Sequence, residues 1–197
     1  MTLPPEIRST ESGPGDKAVL IRATGDIVVS TLNPGSCGMY TVLPIDALGN
    51  DYVISTWAPD AGEDSFFALI STQPDTTISI TINGIQDSIQ IAQQYGSYTF
   101  ESLGDLTGTR ISADKPIAMI AGNADTNFDS GLESDYVTSF LWPTIYWGSQ
   151  HVVPAVPGAN RPYYVKVTAT ELTLVHIHGE GYWLVDPGKR VGIMNRK

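Results

Sequence analysis

The densest run of oxygen-bearing side chains lies in residues 125–135, where Asp125, Asn127, Asp129, Glu133 and Asp135 surround Gly131. Carboxylate and amide oxygens at alternate positions suit a hard cation such as calcium, which takes roughly six to eight oxygens from a turning loop. Asp125, Asn127 and Asp129 are the candidate ligands. The spacing is not that of an EF-hand, which needs a glycine in mid-loop and a closing glutamate; counted from Asp125, those places hold Ser130 and Tyr136. A solvated acidic loop between strands is the plainer account of the same residues. His176 and His178 stand two apart in a strand-like stretch, so they share a face and form a candidate zinc pair. His151 is the remaining histidine, and spacing does not place it beside them. Two polar residues alternating with Val175 and Ile177 on a solvent face explain the pair equally simply.

Phe140, Trp142, Tyr146 and Trp147, with Tyr163 and Tyr164, offer aromatic faces on which a sugar ring stacks. Trp142 and Trp147 stand where an earlier Pro…Gly unit has Leu43 and Leu48, and that exchange favours core packing over a ligand surface. Cys37 is the single cysteine, so no internal disulfide forms. It is read as an inert thiol at a strand start, or as one that pairs outside this segment. No Gly-x-Ser-x-Gly, no phosphate-binding glycine loop and no His-Glu-x-x-His occurs. Carboxylates abound, and no pair stands out as an acid/base dyad. The chain is therefore read as non-catalytic. No Asn-x-Ser/Thr sequon occurs either.

Composition narrows what holds these residues. The chain has 197 residues, 42% apolar and 16% charged, enough to build a core. Its 19 Gly and 13 Pro, with many Thr, Ile, Val and Tyr, favour short strands and turns over helices. The net charge of −10, with no basic patch, excludes nucleic acid and disfavours anionic membrane surfaces. No apolar run approaches the ~18–20 residues that span a bilayer. Residues 1–15 are polar and proline-rich, without the apolar core of a signal peptide. The chain is thus read as cytosolic or as a fragment of a larger secreted or surface protein.

The strand pattern organises the rest. Residues 104–123 read as turn, short strand, a tight polar turn at Ala113-Asp114-Lys115-Pro116, then a buried apolar strand. Strands are also expected at 17–22, 26–31, 38–43, 52–57, 65–72, 76–82, 88–93 and 97–102. Thr/Ser alternates with Ile over 76–82, the period of a half-buried strand, and Asn83-Gly84 signals a tight hairpin. The same phrases occur twice. Ile21, Ala23, Ile27 and Val29 align without a gap to Ile111, Ala113, Ile117 and Met119. Pro44, Gly49, Val53 and Ile54 align to Pro143, Gly148, Val152 and Val153; Ile70 aligns to Val167 and Thr77 to Thr173. Copies of roughly 90 residues suit a β-sandwich module. The expected fold is all-β: two homologous antiparallel β-sandwich-like units in tandem. A flexible leader takes residues 1–16, the first unit 17–104, and the second 105–197 with the acidic loop as its insertion.

The segments ISADKPIAMIAGN, YTVLPIDALGNDYVIS, TTISITI and SFLWPTIYWGSQHVVPAV resemble the family of the IgG-Fc-binding protein N-terminal domain over about residues 17–191. Its Ser-Asp-Lys-Pro-Ile-type, Leu-Pro…Leu-Gly-x-x-Tyr/Phe-Val and Thr-Thr-Val-x-Ile-type segments match residues 113–117, 43–53 and 76–82. The resemblance implies an extracellular binding or adhesion module of mucus or cell-surface recognition. It implies a protein or glycoprotein partner, immunoglobulin Fc or mucin-like; charge and run length already point to no nucleic acid and no membrane insertion, and the residues offer no cofactor beyond the calcium candidate. It carries over no binding residue. A structural spacer or assembly module is the main alternative, and a glycan-active enzyme the second.

Overall fold

In the computed structural model the chain is all-β, with no α-helix among the described residues, which are 12–33, 38–59, 62–126, 135–154, 164–179, 181–186 and 191–194. The strands in order are β1 (Gly13–Gly15), β2 (Val29–Asn33), β3 (Gly38–Val42), β4 (Gly49–Val53), β5 (Ser65–Ser71), β6 (Thr76–Ile82), β7 (Ile85–Ile91), β8 (Ser97–Ser102), β9 (Arg110–Thr126), β10 (Asp135–Phe140), β11 (Tyr164–Val167), β12 (Thr173–Ile177), β13 (Gly181–Val185) and β14 (Val191–Met194). Short 3₁₀ turns lie at Ile45–Ala47 and Thr144–Tyr146. The chain forms two compact units, residues 1–145 and 146–197.

The first unit is built on β9, 17 residues long, with strands paired on both edges on either side of residues 114–116. Gly49 of β4 and Ser71 of β5 both stand opposite Ile117, so β4 and β5 occupy opposite edges. Tyr52 of β4 and Ile80 of β6 both face Ile111, so β6 shares the edge of β5. β10 pairs Thr126 to Ile120 on the edge of β4. The antiparallel sheet of eight strands runs β1-β8-β5-β9-β6-β7, with β4 and β10 on the far side of β9. Its inner face buries Tyr52, Phe67, Leu69, Ile78, Ile111, Ile117 and Met119, each at most 1% exposed. Burial of each such side chain stabilises by about 1.5–3 kcal/mol. The second unit holds the ladders β11·β14 and β12·β13.

Ala113-Asp114-Lys115-Pro116 is not a turn: it runs straight through β9. Pro116 lies between Ala113, paired to β6, and Ile117, paired to β5, so its missing N–H interrupts no ladder bond. The neighbouring side chains clasp the bend between β5 and β6. The Asp114 Oδ1 accepts from the Thr77 N–H at 2.9 Å, and the Lys115 Nζ donates to the Pro74 and Asp75 carbonyls at 2.6 and 3.0 Å. The Thr72 hydroxyl donates to the Pro116 carbonyl at 2.6 Å. Polar residues in mid-strand thus serve the adjoining turn.

Other expectations change as well. The leader is not wholly loose, since Gly13–Gly15 adds to the edge of β8 and Ser12 Oγ accepts from the Glu101 N–H at 3.1 Å. Residues 17–22 form no strand, and of 26–31 only the end enters β2. The divide expected at residue 104 does not part the sheet, because β9, which follows it, is the central strand for β4, β5 and β6. Ile27 and Ile117, matched in the sequence, have unlike surroundings: 54% and 0% exposed. The alternation over 76–82 holds as β6. Asn83 (φ 51°) and Gly84 (φ 81°) make the tight β6–β7 hairpin, whose left-handed backbone glycine adopts without strain.

Candidate functional site

The acidic segment grows out of the β9·β10 hairpin, whose last pair is Asp135 with Thr126. Asp125 is half-buried near the end of β9, and Asp135 is exposed at the start of β10, its Oδ1 accepting from the Tyr136 N–H at 2.8 Å. Asn127 and Asp129 lie outside the described residues. Among the described residues no group of three or more His, Cys, Asp or Glu side chains stands ready for a metal.

A second connection, residues 57–64 between β4 and β5, is tied to the same end of the sheet. Asn123, fully buried, grips its start: Oδ1 accepts from the Trp57 N–H at 2.8 Å, and Nδ2 donates to the Trp57 carbonyl at 2.8 Å and to Ser65 Oγ at 3.0 Å. Thr126 Oγ1 donates to the Ala58 carbonyl at 2.8 Å. The Ala124 N–H donates to the Asp64 carbonyl at 2.8 Å, fixing the far end. The four closing residues of β9 therefore anchor the β4–β5 connection by hydrogen bonds, and residues 127–134 follow them in the chain. Buried polar groups of this kind hold a connection rigidly because each lost bond leaves a desolvated partner.

Aromatic rings brace the hairpin. Phe66 and Tyr136 stack with centroids 5.4 Å apart, and Tyr40 lies 6.3 Å from Phe140. Burial pushes the Tyr136 hydroxyl up to about 12, the Tyr40 phenol adds to that, and a hydrogen bond with Thr138 partly opposes it. The group stays protonated across the physiological range. At Gly122 the backbone of β10 comes close over β9: a Cβ there would meet the Val137 carbonyl oxygen at 1.9 Å. The described residues of this end include no histidine and no cysteine. The described residues form a fixed frame for the connection between β4 and β5.

The other sequence candidates stand elsewhere. His176 is exposed and stacked on Tyr182 at 4.5 Å, its cross-strand neighbour; His178 lies beyond the end of β12. His151 Nε2 is 2.9 Å from the Gly148 carbonyl. Trp142 is 56% exposed rather than packed in the core. Trp147 and Tyr164 are half-buried, and Tyr163 and Cys37 lie outside the described residues. Asn123 escaped sequence reading. An asparagine closing an apolar run signals a buried polar group, yet its partners lie 66 and 58 positions away.

Strand content, antiparallel pairing and a braced loop end define an all-β domain without an assembled metal centre among the described residues. The family described as IgGFc binding protein matches residues 38–191, and the chain belongs to that family. The human IgGFc-binding protein is 27% identical over 176 residues, which cover 81% of this chain and 3% of that protein. The chain therefore corresponds to a small part of that relative's length. No solved structure matches it.

Proposed function

We propose that the chain is a non-catalytic extracellular binding module that takes a protein or glycoprotein partner through the loop end of β9. Family membership carries this reading. The relative is named for binding the Fc part of immunoglobulin G, and Fc is accordingly the first partner to test, with mucin-type glycoproteins second. The geometry supports a loop-borne contact, because residues 57–64 are tied at both ends and residues 127–134 leave from a hairpin with stacked aromatics. Loops on a rigid scaffold are where binding residues concentrate. Adhesion within a mucus or cell-surface assembly is the setting this implies.

Calcium belongs to the same proposal in a subordinate place. Asp125 and Asp135 stand at the facing ends of β9 and β10, next in the chain to the segment that contains Asn127 and Asp129, and Asp125, Asn127 and Asp129 are the oxygen ligands proposed for the cation. The test is a pull-down of the full chain against immunoglobulin Fc, mucin and a glycan panel. Saturable retention of one of these is the expected result, and no retained partner would contradict the reading.

A further inference from the structure

One strand phrase occurs twice and is treated oppositely. In β9, Ile111, Ile117 and Met119 are at most 1% exposed. Ile21 and Ile27, which match Ile111 and Ile117, are 46% and 54% exposed, and Val28 is 82% exposed. Residues 16–28 enter no strand. An apolar strand sequence left in solvent is a strand without its sheet, and such segments invite pairing with another chain.

The second unit shows the converse. In the first unit, β9 joins the ladders β5·β8 and β6·β7 by lying against β5 and β6. The ladders of the second unit repeat theirs in register. The pair Ile70 with Ser97 recurs as Val167 with Val191, and Phe67 with Phe100 as Tyr164 with Met194. Ile78 with Ile89 recurs as Val175 with Trp183, and Ile80 with Asp87 as Ile177 with Gly181. One constant shift carries β5 and β6 onto β11 and β12; another carries β7 and β8 onto β13 and β14. Burial agrees, because Thr173, Val175 and Ile177 are the more buried residues of β12, as Thr76, Ile78 and Ile80 are of β6. That sets Thr173 against Thr76, one place from the sequence alignment. The β2·β3 and β9·β10 hairpins correspond too: Ser30 with Thr41 recurs as Ile120 with Phe140. One part is missing. β12 carries β13 on one edge, and among the described residues no strand lies on its other edge.

We infer that this edge of β12 is a strand-acceptor position, and that residues 19–29 of a second copy of the chain fill it, joining copies head to tail. The occupant follows from the phrase itself, since residues 21–23 match the stretch that β9 lays against β6 and residues 27–29 the stretch that it lays against β5, the counterpart of β11. Transposing the β6·β9 register sets Ala23 opposite Val175 and Ile21 opposite Ile177, antiparallel. A heterologous contact of this kind propagates from copy to copy. The clasp of β9 is absent from the donor, where Thr24, Gly25 and Asp26 stand in place of Asp114, Lys115 and Pro116. The joint is therefore weaker than the bond of β9 to its own sheet, and assembly depends on concentration.

The experiment uses the full chain with Cys37→Ser as background. Copies carrying Ala23→Cys are mixed with copies carrying Val175→Cys and treated with a short bifunctional thiol reagent. A cross-linked two-chain product is expected, and the double variant should give a ladder of multiples. His176→Cys in place of Val175→Cys points to the other face and should lower the yield several-fold. In parallel, sedimentation should show mass rising with concentration, and Ile21→Asp, at an exposed position, should abolish the rise. A mixture that stays single-chain, a double variant cross-linked only within one chain, or a mass independent of concentration would overturn the inference.

Discussion

Asn123→Ala tests the frame on which the loop end depends. The side chain is fully buried and makes three hydrogen bonds of 2.8–3.0 Å, to both backbone groups of Trp57 and to Ser65 Oγ. Each contributes about 1 kcal/mol net, and removing the acceptor of a desolvated N–H adds to the loss, so destabilisation of about 3–4 kcal/mol is expected. At ~2–4 °C per kcal/mol for a chain of this size, the melting temperature falls by roughly 10 °C. Urea titration should show a lower midpoint at unchanged slope. Amide exchange localises the effect: protection at Trp57 and Ala124 should drop, while that of β6, whose ladder is remote from Asn123, should persist below the global limit. Ser65 Oγ also reaches the Trp57 carbonyl at 3.3 Å, which keeps part of the anchor and caps the loss. A loss below about 1 kcal/mol, or unchanged exchange at Trp57, would refute the claim that this amide holds the connection.

Gly122→Ala should destabilise by about 3 kcal/mol or more, because the new methyl meets backbone atoms Val137 O and Thr138 Cα, which cannot swing aside; an unchanged melting curve would contradict the close approach of β9 and β10. Stability should fall by about 2 kcal/mol between pH 10 and 12, because the folded chain keeps the Tyr136 proton until about pH 12 while the unfolded chain releases it near pH 10. Below pH 10 that contribution is fully present, and Tyr136→Phe should flatten the slope in denaturation curves collected across that range. Lys115→Met should cost about 1 kcal/mol and raise exchange in residues 72–77, since the Nζ contacts to Pro74 and Asp75 vanish. Calorimetry with Ca²⁺ separates the two readings of residues 125–135: a ligand loop gives a heat that Asp125→Ala/Asp129→Ala abolishes, and a solvated loop gives identical traces.

Local signals in the sequence translated well where the structure is local. The period of 76–82 and the Asn83-Gly84 pair give β6 and its turn, because alternation and left-handed turn residues act over a few positions, while β7 begins at Ile85, directly after the turn and earlier than the strand expected at 88–93. Long-range effects defeated the same logic. Asp114, Lys115 and Pro116 look like a turn, yet their partners are Thr72, Pro74, Asp75 and Thr77, about 40 positions earlier. Apolar content marked residues 17–22 as a strand, but a strand needs a sheet edge, and β1 already covers part of the edge of β8. The candidate site was half legible. Acidic residues marked the loop by composition, whereas Asn123, which fixes its neighbour, offers only a lone polar residue whose partners are set by the fold.

Retention of Fc and of mucin glycoprotein on the immobilised full chain tests the binding reading most directly when set beside a variant with residues 127–134 replaced by a glycine–serine linker of equal length. Saturable retention by the native chain and its loss in the variant is the predicted result. Absence of retention, or equal retention by both, would contradict it.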